Sequence, residues 1–266
     1  MKKIVALLSV ILAFSGLWSY ASPVFSDSFS DPNGALLGQS AQIGTGAWTI
    51  TGSSVVNPIQ VNNGMVTLTN TGQDAYAQLS SPVSTASGGS IFVGLDLNVS
   101  AAQANGDYFL HFTTAVGATS GFYDKLWVQS SGSGFVLGIQ ATSGTTNWGS
   151  SVLSFGTSYR VVTEEDFVSG AANDTFDVFV NPTDLSVAGN NTPYATLTWN
   201  GAVAEASTYA EINFRQGTAS IAPIETVDNL VVSSAFSDVS AVPEPSSLAF
   251  GLVGGFAWLV ALRRKG

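Results

Sequence analysis

The chain has 266 residues, no cysteine, and only 10% charged against 45% hydrophobic residues. Between residues 22 and 241 it carries 17 acids against three cations (Lys125, Arg160 and Arg215), a net charge of −14 that repels nucleic acid and anionic lipid headgroups. The missing thiols exclude disulfides, thiolate metal sites and cysteine nucleophiles, so stability rests on packing and sheet hydrogen bonds.

Met1, Lys2 and Lys3 precede an apolar run from Ile4 to Leu17, and Ser19-Tyr20-Ala21 follows it. This order of charged, apolar and small residues predicts a secretory signal over residues 1–21, cleaved between Ala21 and Ser22. The alternative is an uncleaved anchor, for which the run is short.

Residues 22–240 read as one β domain. Strand-like runs recur at Val24 to Phe29, Ala47 to Thr51, Val55 to Val61, Met65 to Thr69, Ala75 to Leu79, Ile91 to Val99 and Tyr108 to Thr114. They continue at Phe122 to Val128, Phe135 to Ala141, Ser158 to Val168, Thr175 to Val180, Tyr194 to Trp199, Tyr209 to Phe214 and Thr226 to Val232. Gly, Asn, Pro or Ser bounds each one, and no stretch keeps a helical period for three turns. The clearest hairpin centres on Asn62-Asn63-Gly64, residues that tolerate positive φ in a tight turn. About fourteen strands without a fixed repeat predict an all-β fold of two packed antiparallel sheets rather than a propeller or β-helix.

At the C-terminal end, Val242-Pro243-Glu244-Pro245 precedes two serines, an apolar stretch from Leu248 to Leu262, and Arg263-Arg264-Lys265. The prolines hold the first segment extended and the apolar stretch predicts a transmembrane helix. The basic cluster then marks the cytoplasmic side by the positive-inside bias. Gly251 and Gly255 on that helix form a G-x-x-x-G, which could be a dimer face.

This tripartite end, residues 241–266, resembles the PEP-CTERM sorting signal of Gram-negative bacteria that make extracellular polysaccharide. The resemblance implies recognition of Pro243, Glu244 and Pro245 by the membrane enzyme exosortase, with Arg263, Arg264 and Lys265 as the stop. It also implies export, transient inner-membrane anchoring, and delivery of the body to the cell surface or biofilm matrix. A plain C-terminal anchor is the alternative.

Four segments of the body also look familiar: Asp107 to Phe112, Phe155 to Val162, Asp177 to Pro182 and Val227 to Val232. Together they resemble the concanavalin A-like (laminin G-like) jelly rolls that many PEP-CTERM proteins carry. The resemblance implies a closing strand that pairs with the first one near Phe25 to Phe29.

Candidate chemistry is sparse. Glu164-Glu165-Asp166 is the densest acid cluster, and on a strand Glu164 and Asp166 share one face. Retaining β-glucanases of this general fold resemble it in part, but the third acid they need falls on Val168, so a solvated acidic edge or turn is expected instead. The one histidine, His111, alternates with Phe109 and Thr113 against Tyr108, Leu110 and Phe112, and reads as a packed sheet residue. Asn173-Asp174 with Asp177, or Asp27 with Asp31 and Asn33, could hold a structural Ca²⁺, although neither has the spacing of a calcium loop. No other cofactor is expected.

Trp48, Trp127, Trp148, Trp199, Tyr123 and Tyr194 could present flat faces to sugar rings, although large aromatics in a sandwich more often pack in its core; Trp148, set in a loop-like Gly-Thr-Thr-Asn-Trp-Gly context, is the best placed for exposure and could be a carbohydrate contact. The expected function is a non-catalytic structural or adhesive surface module, not an enzyme; the alternative is a module that binds matrix polysaccharide, and a glycoside hydrolase is the least favoured. The expected partners are exosortase, the secretion machinery, the membrane before processing, and extracellular polysaccharide.

Overall fold

The computed structural model describes residues 22–86, 88–199 and 204–241. Ala21, Val242, Pro243, Glu244, Pro245, Arg263, Arg264, Lys265 and both expected terminal helices lie outside the described residues. Among the described residues no helix is long and apolar enough to cross a membrane.

Seventeen strands are described. The first nine are β1 (Phe25–Asp27), β2 (Gly34–Ala35), β3 (Thr45–Thr51), β4 (Gln60–Asn62), β5 (Met65–Leu68), β6 (Asp74–Ser84), β7 (Gly89–Ala101), β8 (Asp107–Thr113) and β9 (Phe122–Ser131). The other eight are β10 (Gly134–Gln140), β11 (Asn147–Trp148), β12 (Leu153–Ser154), β13 (Ser158–Phe167), β14 (Thr175–Val180), β15 (Ala195–Thr198), β16 (Thr208–Phe214) and β17 (Ile224–Ser233). One short helix, α1 (Phe236–Ser240), follows β17.

The strands form two antiparallel sheets. Sheet I has nine strands in the order β15-β14-β13-β7-β17-β5-β4-β2, with β1 beside the far end of β17. Sheet II has eight in the order β11-β10-β9-β8-β16-β6-β3, with β12 against β10. The closing strand pairs with the opening one as expected, Phe25 opposite Val232. Asn63 and Gly64 take φ of 52° and 77°, the conformation that closes the β4–β5 hairpin.

The inner faces of the two sheets enclose one apolar core, which includes Leu95, Leu97, Val161 and Val227 from sheet I and Phe109, Leu126, Phe135 and Ile212 from sheet II. Near the chain's start, Trp48 stacks on Phe214 with centroids 5.1 Å apart and meets Phe25 edge-on at 5.8 Å. Its Nε1 donates to Asp27 Oδ2 at 2.7 Å, so the one polar atom of this wholly buried indole is satisfied.

A smaller cluster lies on the outer face of sheet I, where Phe236 and Val239 of α1 pack with Phe92, Val162, Phe179 and Val231. Arg160 clamps the helix there: Nε and Nη2 donate to Val239 O at 2.9 and 2.6 Å, and Nη1 donates to Asn229 O at 3.0 Å. Gly94 leaves the room for this, because a Cβ there would stand 2.2 Å from Val239 O.

Three sequence expectations need correction. Glu164–Asp166 is neither an edge nor a turn, since β13 runs between β7 and β14 with every one of these acids paired on both sides. Val55–Val61 is strand only from Gln60, and Val55 and Val56 are exposed. In β8 the strict alternation fails: the β8–β9 register slips twice between Tyr108 and Phe112, so Leu110 and Phe112 join Phe109 in the core while Tyr108 and His111 share the outer face.

The partner irregularity in β9 is Asp124, at φ 48°, whose carboxylate is buried between the sheets. It lies against Glu165 of β13, which accepts the Tyr209 hydroxyl at 2.7 Å. Two carboxyls buried against each other favour a proton on one of them. Burial is the largest cause that pushes Asp124 up to about 6 and Glu165 well above the usual carboxylate range.

A carboxyl that binds its proton more tightly when folded stabilises fully below the unfolded value near 4 and loses that contribution as pH rises through its folded value. Asp124→Asn should therefore flatten the fall in melting temperature between pH 5 and pH 8 and raise stability at pH 8. A melting series in which the variant keeps the wild-type slope would refute the shared proton.

Candidate functional site

The outer face of sheet II carries an aromatic row that runs across the strands. Trp148 on β11 is opposite Gly138 on β10, Gly138 is opposite Trp127 on β9, and Trp127 is opposite Tyr108 on β8. The next strand, β16, ends at Phe214, and the Arg215 N–H that follows donates to Phe109 O at 2.9 Å. Four residues from four adjacent strands thus share one line, and Arg215, just past the end of β16, extends it.

Each position has a local reason. Gly138 has no side chain, and a Cβ there would meet the Trp148 ring at 2.4 Å, so the indole lies over the glycine backbone. Gly106 receives the far edge of the same ring, 3.0 Å from where its Cβ would be. Trp127 meets Trp148 edge-on at 6.2 Å and Tyr108 at 5.3 Å, and all three rings are half-buried. The geometry is a continuous strip of π faces and edges with one side open to solvent.

Two of the three cations between residues 22 and 241 belong to this row. Lys125 Nζ is 4.9 Å from the Tyr108 centroid and Arg215 Cζ is 4.3 Å from it. Arg215 Nη1 also forms an ion pair with Asp107 Oδ2 at 2.5 Å, while Lys125 donates to Gln140 Oε1 at 3.3 Å and to Thr142 O. Burial lowers the Lys125 ammonium's pKa, with the Arg215 charge adding to the effect. The row therefore offers stacking surfaces flanked by fixed hydrogen-bond donors, and Trp127 Nε1 is a further donor without a protein partner.

Trp148, the candidate contact from sequence, is in the row, and so is Trp127. The other candidates are not. Trp48 is core, Trp199 is buried and stacks on Tyr123 with centroids 6.4 Å apart, and Tyr194 lies over Gly149 with its hydroxyl donated to Ser151 O. Tyr108, Lys125 and Arg215 were not singled out, because only the bulged register of β8 turns them to one face.

The acids do not assemble a metal site. Asp27 accepts from Trp48 Nε1 and the Phe29 N–H, and Asn33 Oδ1 accepts from the Asn63 N–H. Asp174 Oδ1 accepts the Val168 N–H at 2.7 Å, while Asp177 pairs across the sheet with Glu164 and Thr196. Among the described residues no three carboxylate or imidazole groups converge as ligands. Glu164 and Asp166 do share the outer face of sheet I, beside Asp177, where burial first and the two neighbouring carboxylates next push Glu164 up to about 7.

No protein-family model matches the chain, and no curated relative matches it. Solved structures resemble it in fold. The binding domain of botulinum neurotoxin serotype D is similar at 11% identity and a TM-score of 0.50, over 82% of this chain and 50% of that one. A second structure of the receptor binding domain of botulinum neurotoxin D gives 12% identity and a TM-score of 0.50 over 82% of this chain and 51% of that one. The globular domain of T. cruzi calreticulin gives 10% identity and a TM-score of 0.47, with 91% of this chain and 100% of that one covered. The chain spans about half the length of the neurotoxin chains it matches, and the likeness is one of architecture: two packed antiparallel sheets.

Proposed function

We propose that the chain is an exported surface or matrix protein whose sandwich is a non-catalytic adhesive module, and that this module grips matrix polysaccharide through the aromatic row. The observation that carries the reading is the registered line Trp148–Gly138–Trp127–Tyr108, flanked by Lys125 and Arg215. Sugar rings present C–H faces that stack on indole and phenol, and hydroxyls that take hydrogen bonds from fixed donors at the rim. The strip follows adjacent strands about 4.8 Å apart, so its spacing suits a chain-like ligand rather than one small molecule. The outer-face acids Glu164, Asp166 and Asp177 lie on sheet I, across the sandwich from the row, which favours binding over hydrolysis at the row.

Trp148→Ala and Trp127→Ala should each weaken retention on immobilised polysaccharide by tenfold or more, about 1.4 kcal/mol, while the melting temperature changes little for the half-buried Trp148. A glycan array and affinity electrophoresis would read this. Unchanged retention of both variants would remove the row as the site.

The sorting reading rests on the sequence of residues 242–266 and is proposed on that ground. Exosortase would act at Pro243-Glu244-Pro245 and the apolar stretch would hold the precursor in the inner membrane until then. Replacing the three residues with Ala-Gln-Ala should leave the precursor in the inner membrane with its C-terminal stretch attached, because the extended backbone and the lone charge are both lost. Fractionation with an epitope in the body decides it: normal surface delivery would mean the segment is only a linker.

The fold suggests how the module is presented. Helix α1 ends at Ser240 on the outer face of sheet I, while the aromatic row is on the outer face of sheet II. A sandwich tethered through its C-terminal end thus turns the row away from the tether. On intact cells that display the protein, a bulky maleimide should label a cysteine at exposed Thr49 on the row's sheet faster than one at Leu185 beside α1. Equal rates would overturn this orientation.

A further inference from the structure

The outer face of sheet II continues past Tyr108 into a part that is covered. His111, Thr113, Glu211 and Asn213 alternate outward from β8 and β16, as the register pairs Asn213 with His111 and Glu211 with Thr113. An outer sheet face meets water unless something lies on it, yet these four polar residues are at most 2% exposed. Above them runs the β8–β9 connection, residues 114–121, with Val116 half exposed and Gly117 and Gly121 both near φ 71°.

One carboxylate fastens this connection to the sheet. Glu211 Oε2 accepts the Gly117 N–H at 2.8 Å, and its Oε1 accepts from the Thr113 hydroxyl at 2.6 Å and from Asn213 Nδ2 at 3.3 Å. The connection leads directly into Phe122, whose ring lies 4.4 Å from the His111 ring and 6.3 Å from Tyr108. The loop, the aromatic that follows it and the row are therefore contiguous.

His111 is the anomaly. Both ring nitrogens are buried and neither has a partner, although a neutral imidazole carries one donor and one acceptor. Burial, then the charges of Lys125 and Arg215, hold its pKa well below the usual histidine range, so it stays neutral. Glu211 faces it from the neighbouring strand through Asn213 and is held above the usual carboxylate range by burial. Two unmet hydrogen-bonding atoms are costly unless an occupant meets them.

We propose that residues 114–121 and Phe122 form a cover over a second subsite made of His111, Glu211 and Asn213, and that a neutral, hydroxyl-rich sugar chain lying on the aromatic row lifts this cover. The sugar's hydroxyls replace Gly117 as donors to Glu211 and meet the two ring nitrogens of His111. This rests on the reading of the row as a polysaccharide site, and it adds a residue type that the row lacks: an imidazole, which offers a ring N–H donor and a ring nitrogen acceptor on opposite sides. Residues 114–121 are small apart from Val116, and Glu211 straps them to the sheet through Gly117, which keeps the cost of opening low.

The chain's single histidine makes the test specific to one residue. In the full chain, carbethoxylation by diethyl pyrocarbonate should modify His111 slowly, and Glu211→Gln, which replaces one acceptor facing Gly117 with a donor, should raise the rate at least tenfold while hydrogen exchange of residues 114–121 accelerates. If Glu211→Gln loses its cooperative melt, Phe122→Ala decides the same point, because it uncovers His111 without touching the strap. Xylohexaose, cellohexaose and arabinohexaose, tried separately, should protect or shift the His111 ring signals in NMR, and His111→Ala should weaken the binding of whichever one binds about tenfold.

Binding that is lost in Trp148→Ala but unchanged in His111→Ala, with the His111 signals unmoved, would overturn the subsite and leave the row standing. Binding by none of these sugars nor by any array glycan would overturn both. Rapid modification of His111 in the unaltered chain would show that no cover exists.

Discussion

The pairing of β17 with both ends of the chain's path is the constraint on which the remainder depends. β17 lies inside sheet I, with β7 along one edge and β5 then β1 along the other. Its partner in sequence, β16, holds the equivalent position in sheet II between β8 and β6. The last two strands thus occupy the middle of the two sheets, and neither sheet is continuous until they arrive. Non-local pairing of this kind is slow to form and cooperative once formed, because long loops must close before any contact rewards them.

From that arrangement follow the two ends of the functional geometry. Directly after β17 the chain turns into α1, and Arg160 fixes it against sheet I through a carbonyl that Gly94 leaves room for. Directly after β16 comes Arg215, placed beside Tyr108 by the same central position. One sheet therefore carries the exit of the chain and the other carries the aromatic row, and the core between them keeps the two faces apart. The core also contains two buried carboxyls, Asp124 and Glu165, both held above the usual carboxylate range, which link β9 of one sheet to β13 of the other. A buried pair of this sort is a weak source of stability and makes the packing of the two sheets sensitive to pH.

The irregular places in the strands are where the site is built. The β8–β9 slips turn Tyr108 and His111 to one face, and the same irregularity drives Asp124 inward. Glycine does the rest: Gly138 and Gly106 give the Trp148 ring a floor that any side chain would fill. A regular ladder would have scattered these residues across both faces, since a one-residue slip reverses the facing of everything beyond it.

Much of the architecture was legible from residue pattern alone. Thirteen of the fourteen runs of alternating or apolar residues became strands over half or more of their length, the exception being Val55–Val61; the Asn62-Asn63-Gly64 turn formed where positive φ was affordable to Asn and Gly, and the closing strand met Phe25. These are local signals, set by β propensity, turn chemistry and the period of two. Trp148 was legible as a residue set outside a long strand because of its glycine- and threonine-rich setting. The two-residue strands β2, β11 and β12 were not, being too short to show a period. Nor were the facing of Tyr108 and His111, the interior position of Glu164–Asp166, the inward turn of Asp124, or the docking of α1. Those depend on which strands become neighbours and where the register slips, and such information lies in contacts between residues far apart in the chain, so only the tertiary structure decided them.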